Sequence, residues 1–189
     1  MKKTTLFFIP VIAMALLQAC TGNEADRDAD STDIQADNAP VSSQLNSSTP
    51  AASDTAFANK AVIGGMAEVA LGKMAAAKGA SSEVRNFGKM MVSDHTKANE
   101  ELMGIAKKNN ISLPTGLDAE HQAKSDSLNK LSGKDFDKAY IKAMVDDHQR
   151  TLAIMNKQAS GGQDVDFKAF AVKTAPIVKH HLDEIMKMQ

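Results

Sequence analysis

Among 189 residues the chain has one cysteine, no tryptophan and one tyrosine, and its formal net charge is only -1. Each scarcity excludes something. With Cys20 spent as an anchor, as argued below, the rest of the chain has no disulfide and no thiolate for catalysis or soft metal binding. Few aromatics and a balanced charge leave no basic stripe with interleaved rings, so nucleic acid is not an expected partner. No glycine-rich phosphate loop or nucleophile elbow occurs, which makes an enzyme the less expected reading.

What the chain does have begins with Lys2 and Lys3, the apolar run Leu6 to Leu17, and Leu17-Gln18-Ala19-Cys20. The run is short for a bilayer span and ends at a cysteine behind a small residue, the pattern of a bacterial lipoprotein signal. Residues 1–19 are therefore expected to be removed and Cys20 to carry the lipid, with an ordinary secretory signal as the alternative. Residues 20–52 are polar and acidic, with Glu24, Asp26, Asp28, Asp30 and Asp33, and read as a solvated tether. The expected location is the bacterial envelope, most simply the outer membrane facing the periplasm or surface, with the membrane as partner and an envelope protein as a further candidate.

Residues 53–189 carry helical periodicity throughout. Ser53 or Asp54 is expected to cap a helix bearing Phe57, Ala61, Gly64, Glu68, Leu71 and Ala75, ended by Gly79. Ser81 or Ser82 starts a second helix with Val84, Phe87, Met91, Val92, His95, Leu102 and Ile105, which breaks before Leu113-Pro114. Ser132 to Asp135 reads as a capping box for a third, with Phe136, Tyr140, Met144, Val145, His148, Leu152 and Met155, ended by Gly161-Gly162. Asp164 caps the last, with Phe167, Phe170, Ile177, Val178, His181, Ile185 and Met188. Short turns join the first two helices and the last two, while a long crossover with a short helix around Leu117, His121, Leu128 and Leu131 joins the pairs. The fold class expected is all-α, a ferritin-like four-helix bundle of two antiparallel hairpins.

Met91-Val92-Ser93-Asp94-His95 returns as Met144-Val145-Asp146-Asp147-His148, fifty-three positions later. In both copies the histidine shares a helical face with a methionine one turn earlier. Counting from the turns puts Glu68, His95 and His148 at similar heights, with His181 about a turn out of line and Pro176 placed to absorb part of that. A lone carboxylate among apolar neighbours is costly unless imidazoles or a cation compensate it. Glu68, His95, His148 and His181 are accordingly the candidate ligands for Zn, Fe, Mn, Ni or Cu. A second tier comprises Asp94, Asp147, His121 and Glu184, together with Met91 and Met144, which would favour copper. Asp94 and Asp147 are otherwise expected to pair with Lys97 and Arg150. The alternative for the whole layer is a metal-free hydrogen-bonded core that fixes helix register.

Several phrases occur together: Gly64-Gly65-Met66-Ala67-Glu68-Val69, Phe87-Gly88-Lys89-Met90-Met91-Val92-Ser93-Asp94-His95, Leu131-Ser132-Gly133, Met144-Val145-Asp146-Asp147-His148, Thr174-Ala175-Pro176 and His181-Leu182. In these the chain resembles a ferritin-like domain-of-unknown-function family common in bacterial envelope proteins and often labelled outer-membrane proteins. The resemblance implies a helical bundle outside the cytoplasm and no established activity. It does not bring a di-iron site, which needs Glu-x-x-His on two helices. Val92 and Val178 occupy the positions three before His95 and His181. The function expected is metal sequestration or sensing, or a metal-free interaction module.

Overall fold

A computed structural model describes residues 51–189. The signal segment, Cys20 and nearly all of the tether lie outside the described residues. Within them the chain is all-helical: α1 (Ala52–Lys78), α2 (Ser82–Lys108), α3 (Ala119–Asn129), α4 (Gly133–Gly161) and α5 (Val165–Met186). No helix among these is long and apolar enough to cross a membrane.

The boundaries follow local chemistry, with two departures from expectation. Ser81 caps α2 by accepting from the Val84 N–H, Asp118 caps α3, and Asp164 caps α5 by accepting from the Asp166 and Phe167 N–H groups. The capping box at α4 does not form: Ser132 makes no side-chain cap, and Gly133 takes a left-handed φ of 59°. Nor does Ser53 or Asp54 cap α1, which begins behind Ala51 with no side-chain cap. Asp54 is needed elsewhere.

Fully buried, Asp54 accepts from the Gln158 side chain at 2.7 Å and from the backbone N–H groups of Gln163 and Asp164 at 3.2 and 3.0 Å. It thereby ties the start of α1 to the turn between α4 and α5. Asp137 performs the reciprocal task, accepting from the Ala80 and Ser81 N–H groups at 2.8 Å each and tying the start of α4 to the turn between α1 and α2. The pairs Asp54 and Asp137, Gly79 and Gly162, and Ser81 and Asp164 are each separated by eighty-three positions, so one hairpin plan is used twice. The two turns therefore lie at opposite ends, and α1 runs antiparallel to α4.

The offset expected for His181 is common to both hairpins: His95 lies fourteen after Ser81 and Glu68 eleven before Gly79, while His181 lies seventeen after Asp164 and His148 fourteen before Gly162. Glu68 lies eleven residues before Gly79, and His148 lies eleven after Asp137, which grips that same turn. At ~1.5 Å per residue the two share a level. α5 stays helical through Pro176.

The core is divided in two. One cluster gathers Leu71, Phe87, Met91, Phe136, Tyr140, Met144 and Ile185; the other gathers Phe57, Val62, Leu102, Met155, Phe167 and Phe170. On each long helix the polar residue of the layer falls between the two clusters. Glycine sets the spacing of the first hairpin: a Cβ on Gly72 would stand 2.8 Å from the Gly88 carbonyl, and one on Gly88 would stand 2.6 Å from the Gly72 carbonyl. Gly64, expected on the packed face, is instead open, while Gly65 is buried against Asn99. Ile177, expected in the core, is 40% exposed.

The reciprocal clamps carry measurable stability. Asp54→Ala strands a buried amide and two backbone donors, and should lower the unfolding free energy by about 2–4 kcal/mol in urea denaturation. Asp183→Ala, on an exposed face where Lys179 pairs with it, should change it by less than about 0.5 kcal/mol. Equal effects for the two would contradict the clamp.

Candidate metal centre

One residue from each long helix enters the gap between the two apolar clusters. Glu68, His95, His148 and His181 are all buried, the last two completely. The three imidazoles form a nearly even triangle, with ring centroids 5.7 Å apart for His95 and His148, 5.3 Å for His95 and His181, and 5.6 Å for His148 and His181. Phe87 walls one side, 6.2 Å from His148 and 6.4 Å from His181.

Each ring uses one nitrogen outward. His95 Nδ1 lies 3.0 Å from Glu68 Oε2, His148 Nδ1 lies 2.8 Å from the Met144 carbonyl oxygen, and His181 Nε2 lies 3.0 Å from Asp94 Oδ2. The remaining nitrogens, His95 Nε2, His148 Nε2 and His181 Nδ1, are buried without a hydrogen-bond partner among the described residues. The three histidines can offer one nitrogen each within 4.8 Å of one another. A tetrahedral ion bound at about 2.0–2.1 Å needs such nitrogens about 3.4 Å apart, so less than about 1 Å of inward movement per ring suffices. Glu68 stands on the Nδ1 side, with Oε1 3.6 Å from His148.

Electrostatics bind the four together. Burial alone would raise the Glu68 carboxyl, but the charge and proton of His95, with His148 and His181 behind it, hold it down at about 2. Burial works against a charged His95, yet Glu68 overcomes it and raises that imidazole above its ordinary value. For His148 burial wins and lowers the value despite Glu68. For His181 burial also wins, down to about 4, although Asp94 resists. The layer thus holds an ionised carboxylate, one proton-retaining imidazole and two neutral ones, which are the form that ligates metal.

The other candidates are dispersed. Asp94 does not pair with Lys97 as expected; it orients His181. Asp147 keeps the expected Arg150 partner, adds Lys124, and meets none of the histidines. His121 sits on α3 with Nδ1 2.6 Å from Asp118 Oδ1, apart from the triangle. Glu184 pairs with Lys187. Met91 and Met144 are buried in the apolar cluster with Phe87 and Tyr140. Sequence reasoning missed the Met144 carbonyl, which has no signature of its own because every helical residue carries one. It missed as well the buried Tyr140 hydroxyl, which has no hydrogen-bond partner among the described residues and whose pKa is raised first by burial and then by Glu68.

Residues 39–188 match the family described as Domain of unknown function (DUF4142). The chain belongs to this family. In fold it is similar to the crystal structure of a DUF305 fragment from Deinococcus radiodurans, with a TM-score of 0.66, 10% identity, and coverage of 74% of this chain and 96% of that one. At that identity the likeness concerns the helical fold alone. No match is found among curated proteins.

The layer makes acid stability predictable. An unfolded His181 protonates near 6.5 and the folded one only at about 4. The folded state binds fewer protons between those values, so stability falls as pH drops through that window, by up to about 3 kcal/mol. His148 has the same sign. Glu68 extends the loss from 4.5 towards 2. His95 has the opposite sign: its contribution is complete below 6.5 and fades as pH rises through its folded value. Urea unfolding in the presence of chelator should therefore show a steady fall in stability from pH ~6.5 to ~4. A flat profile there would contradict buried neutral imidazoles.

Proposed function

We propose that the protein is a metal-binding member of its family, with a ferritin-like four-helix arrangement whose mid-level layer holds one transition-metal ion for sequestration or sensing. The observation that carries this reading is the set of three buried imidazole nitrogens, one per ring, left without partners while the opposite nitrogen of each ring is engaged. Metal-ligating histidines are commonly fixed in this way by a carboxylate or carbonyl behind them. Glu68 behind His95, Asp94 behind His181 and the Met144 carbonyl behind His148 fit that role. His95, His148 and His181 supply the ligand nitrogens, and the Glu68 carboxylate offsets the charge of the ion. Imidazole ligands suit Zn, Fe, Ni and Cu.

The lipoprotein signal, with Cys20 as anchor, supports a place in the bacterial envelope. There the acidic tether holds the helical domain off a membrane. Nothing in the layer resembles the paired Glu-x-x-His motifs of di-iron chemistry, so the reading is of a binding protein. A metal-free core cluster has its own support in the polar contact each ring already makes, and it predicts a different outcome in the same experiment.

After chelator treatment, the purified protein should bind one Co²⁺ or Zn²⁺ per chain, melt at a higher temperature when loaded, and show with Co²⁺ the strong visible absorption of a low-coordinate site. His148→Gln should weaken binding by roughly a hundredfold or more through loss of a ligand. Glu68→Gln should weaken it by roughly ten- to a hundredfold through loss of the group behind His95. Absence of bound metal by elemental analysis, with the melting temperature indifferent to added ions, would overturn the metal reading and favour the metal-free module.

A further inference from the structure

A groove of about 530 Å³ opens between α1, α3 and α4, and its floor includes Glu68. Glu68 is a buried carboxylate that faces His95 Nδ1 at 3.0 Å and whose oxygens accept no hydrogen bond among the described residues. At the mouth lies His121, joined at 2.6 Å to Asp118. Asp118 uses only Oδ1 for this contact and for its cap on the His121 N–H, which leaves Oδ2 out of both. Gly64, one turn before Glu68, also lines the groove, and a Cβ placed there would meet nothing within 4 Å.

On the opposite side a groove of about 550 Å³ reaches Asp94. The two differ in charge. The Asp94 groove sets Asp94 and Glu101 against Lys97 and Lys173, with Glu101 already paired to Lys173 at 2.7 Å. The Glu68 groove has Asp147 already paired with Arg150 and Lys124, and beyond that pairing sets Glu68, Asp118 and Glu120 against Lys60. Its field favours a cation, and walls of one predominant sign concentrate counter-ions.

We infer that the groove between α1, α3 and α4 is the route by which a hydrated divalent cation reaches the three histidines. The Asp118 and His121 pair forms a transfer site at the mouth, and Glu68 is the carboxylate that passes the ion inward. The inference rests on the metal-binding reading above. It divides the acidic and imidazole residues by role: His95, His148 and His181, with Glu68 behind them, set how tightly the ion is held, and the Asp118 and His121 pair with the groove walls sets how fast it arrives and leaves. A group on the route but outside the final site changes arrival and departure equally, because the two end states are unaltered.

Stopped-flow loading of the chelator-treated protein with Co²⁺, followed by its visible absorption, separates these roles. Release is followed by transfer of Co²⁺ to excess chelator. Gly64→Leu places a side chain in the groove where a Cβ meets nothing within 4 Å, and Asp118→Asn retains a residue able to cap α3. Each should slow loading and release together, Gly64→Leu by roughly tenfold or more, with the dissociation constant unchanged within about twofold. His180→Ala, in the Asp94 groove, should leave both rates unchanged. Normal binding with wild-type rates in Gly64→Leu, or slowing in His180→Ala instead, would overturn the route while leaving the metal reading intact. A wild-type protein that takes up no Co²⁺ would overturn both.

Discussion

A carboxylate held ionised in the middle of a helical core requires positive charge within a few ångströms, and Glu68 imposes that requirement on its neighbours. Its side chain is 3% exposed and faces His95 and His148. Without a cation, a proton on His95 supplies the compensation: Glu68 raises that imidazole, while burial lowers the two others. A second or third proton would place like charges on rings whose centroids lie under 6 Å apart. The layer is thus arranged to accept one localised positive charge, the property on which the proposed metal site rests.

Holding four polar side chains at one level demands precise register along four helices, and the reciprocal aspartate clamps provide it. Asp54 and Asp137 each reach from the first turns of one hairpin to the loop of the other. Any sliding of α1 against α4 breaks one set of buried hydrogen bonds, with a cost comparable to a large share of a small domain's stability. Apolar packing above and below then isolates the layer from water. The same isolation makes unpartnered nitrogens expensive, so a core selected for stability alone has little reason to keep three of them.

Much of this was legible in the sequence because helices announce themselves by period. Phe57, Leu71, Phe87, Tyr140, Met144 and Phe170 fell where the 3.6-residue repeat put them, and the short turns and long crossover were readable from glycine, proline and capping residues. The four members of the layer were found because polar residues interrupt an apolar face. What escaped was whatever depends on the meeting of distant segments. Asp54 looks like a helix cap and is a clamp on a turn 104 to 110 residues away. Asp94 and Asp147 occupy matching places in the twin phrase, yet one orients His181 and the other neutralises Lys124 and Arg150. The extra offset expected for His181 came from counting the two hairpins from unmatched turn residues; from the matched pairs Gly79 and Gly162, and Ser81 and Asp164, the second helix of each hairpin carries its histidine three residues farther from the turn than the residue it meets.

The twin phrase therefore identifies two corners of the triangle, and the hairpin plan supplies the rest. Direct structural proof lies in the coordination shell itself. X-ray absorption at the metal edge of the Zn²⁺-loaded protein should show three imidazole nitrogens at about 2.0–2.1 Å, with the outer scattering of their rings. A shell of oxygens alone, a sulfur scatterer, or fewer than two imidazoles would contradict the account.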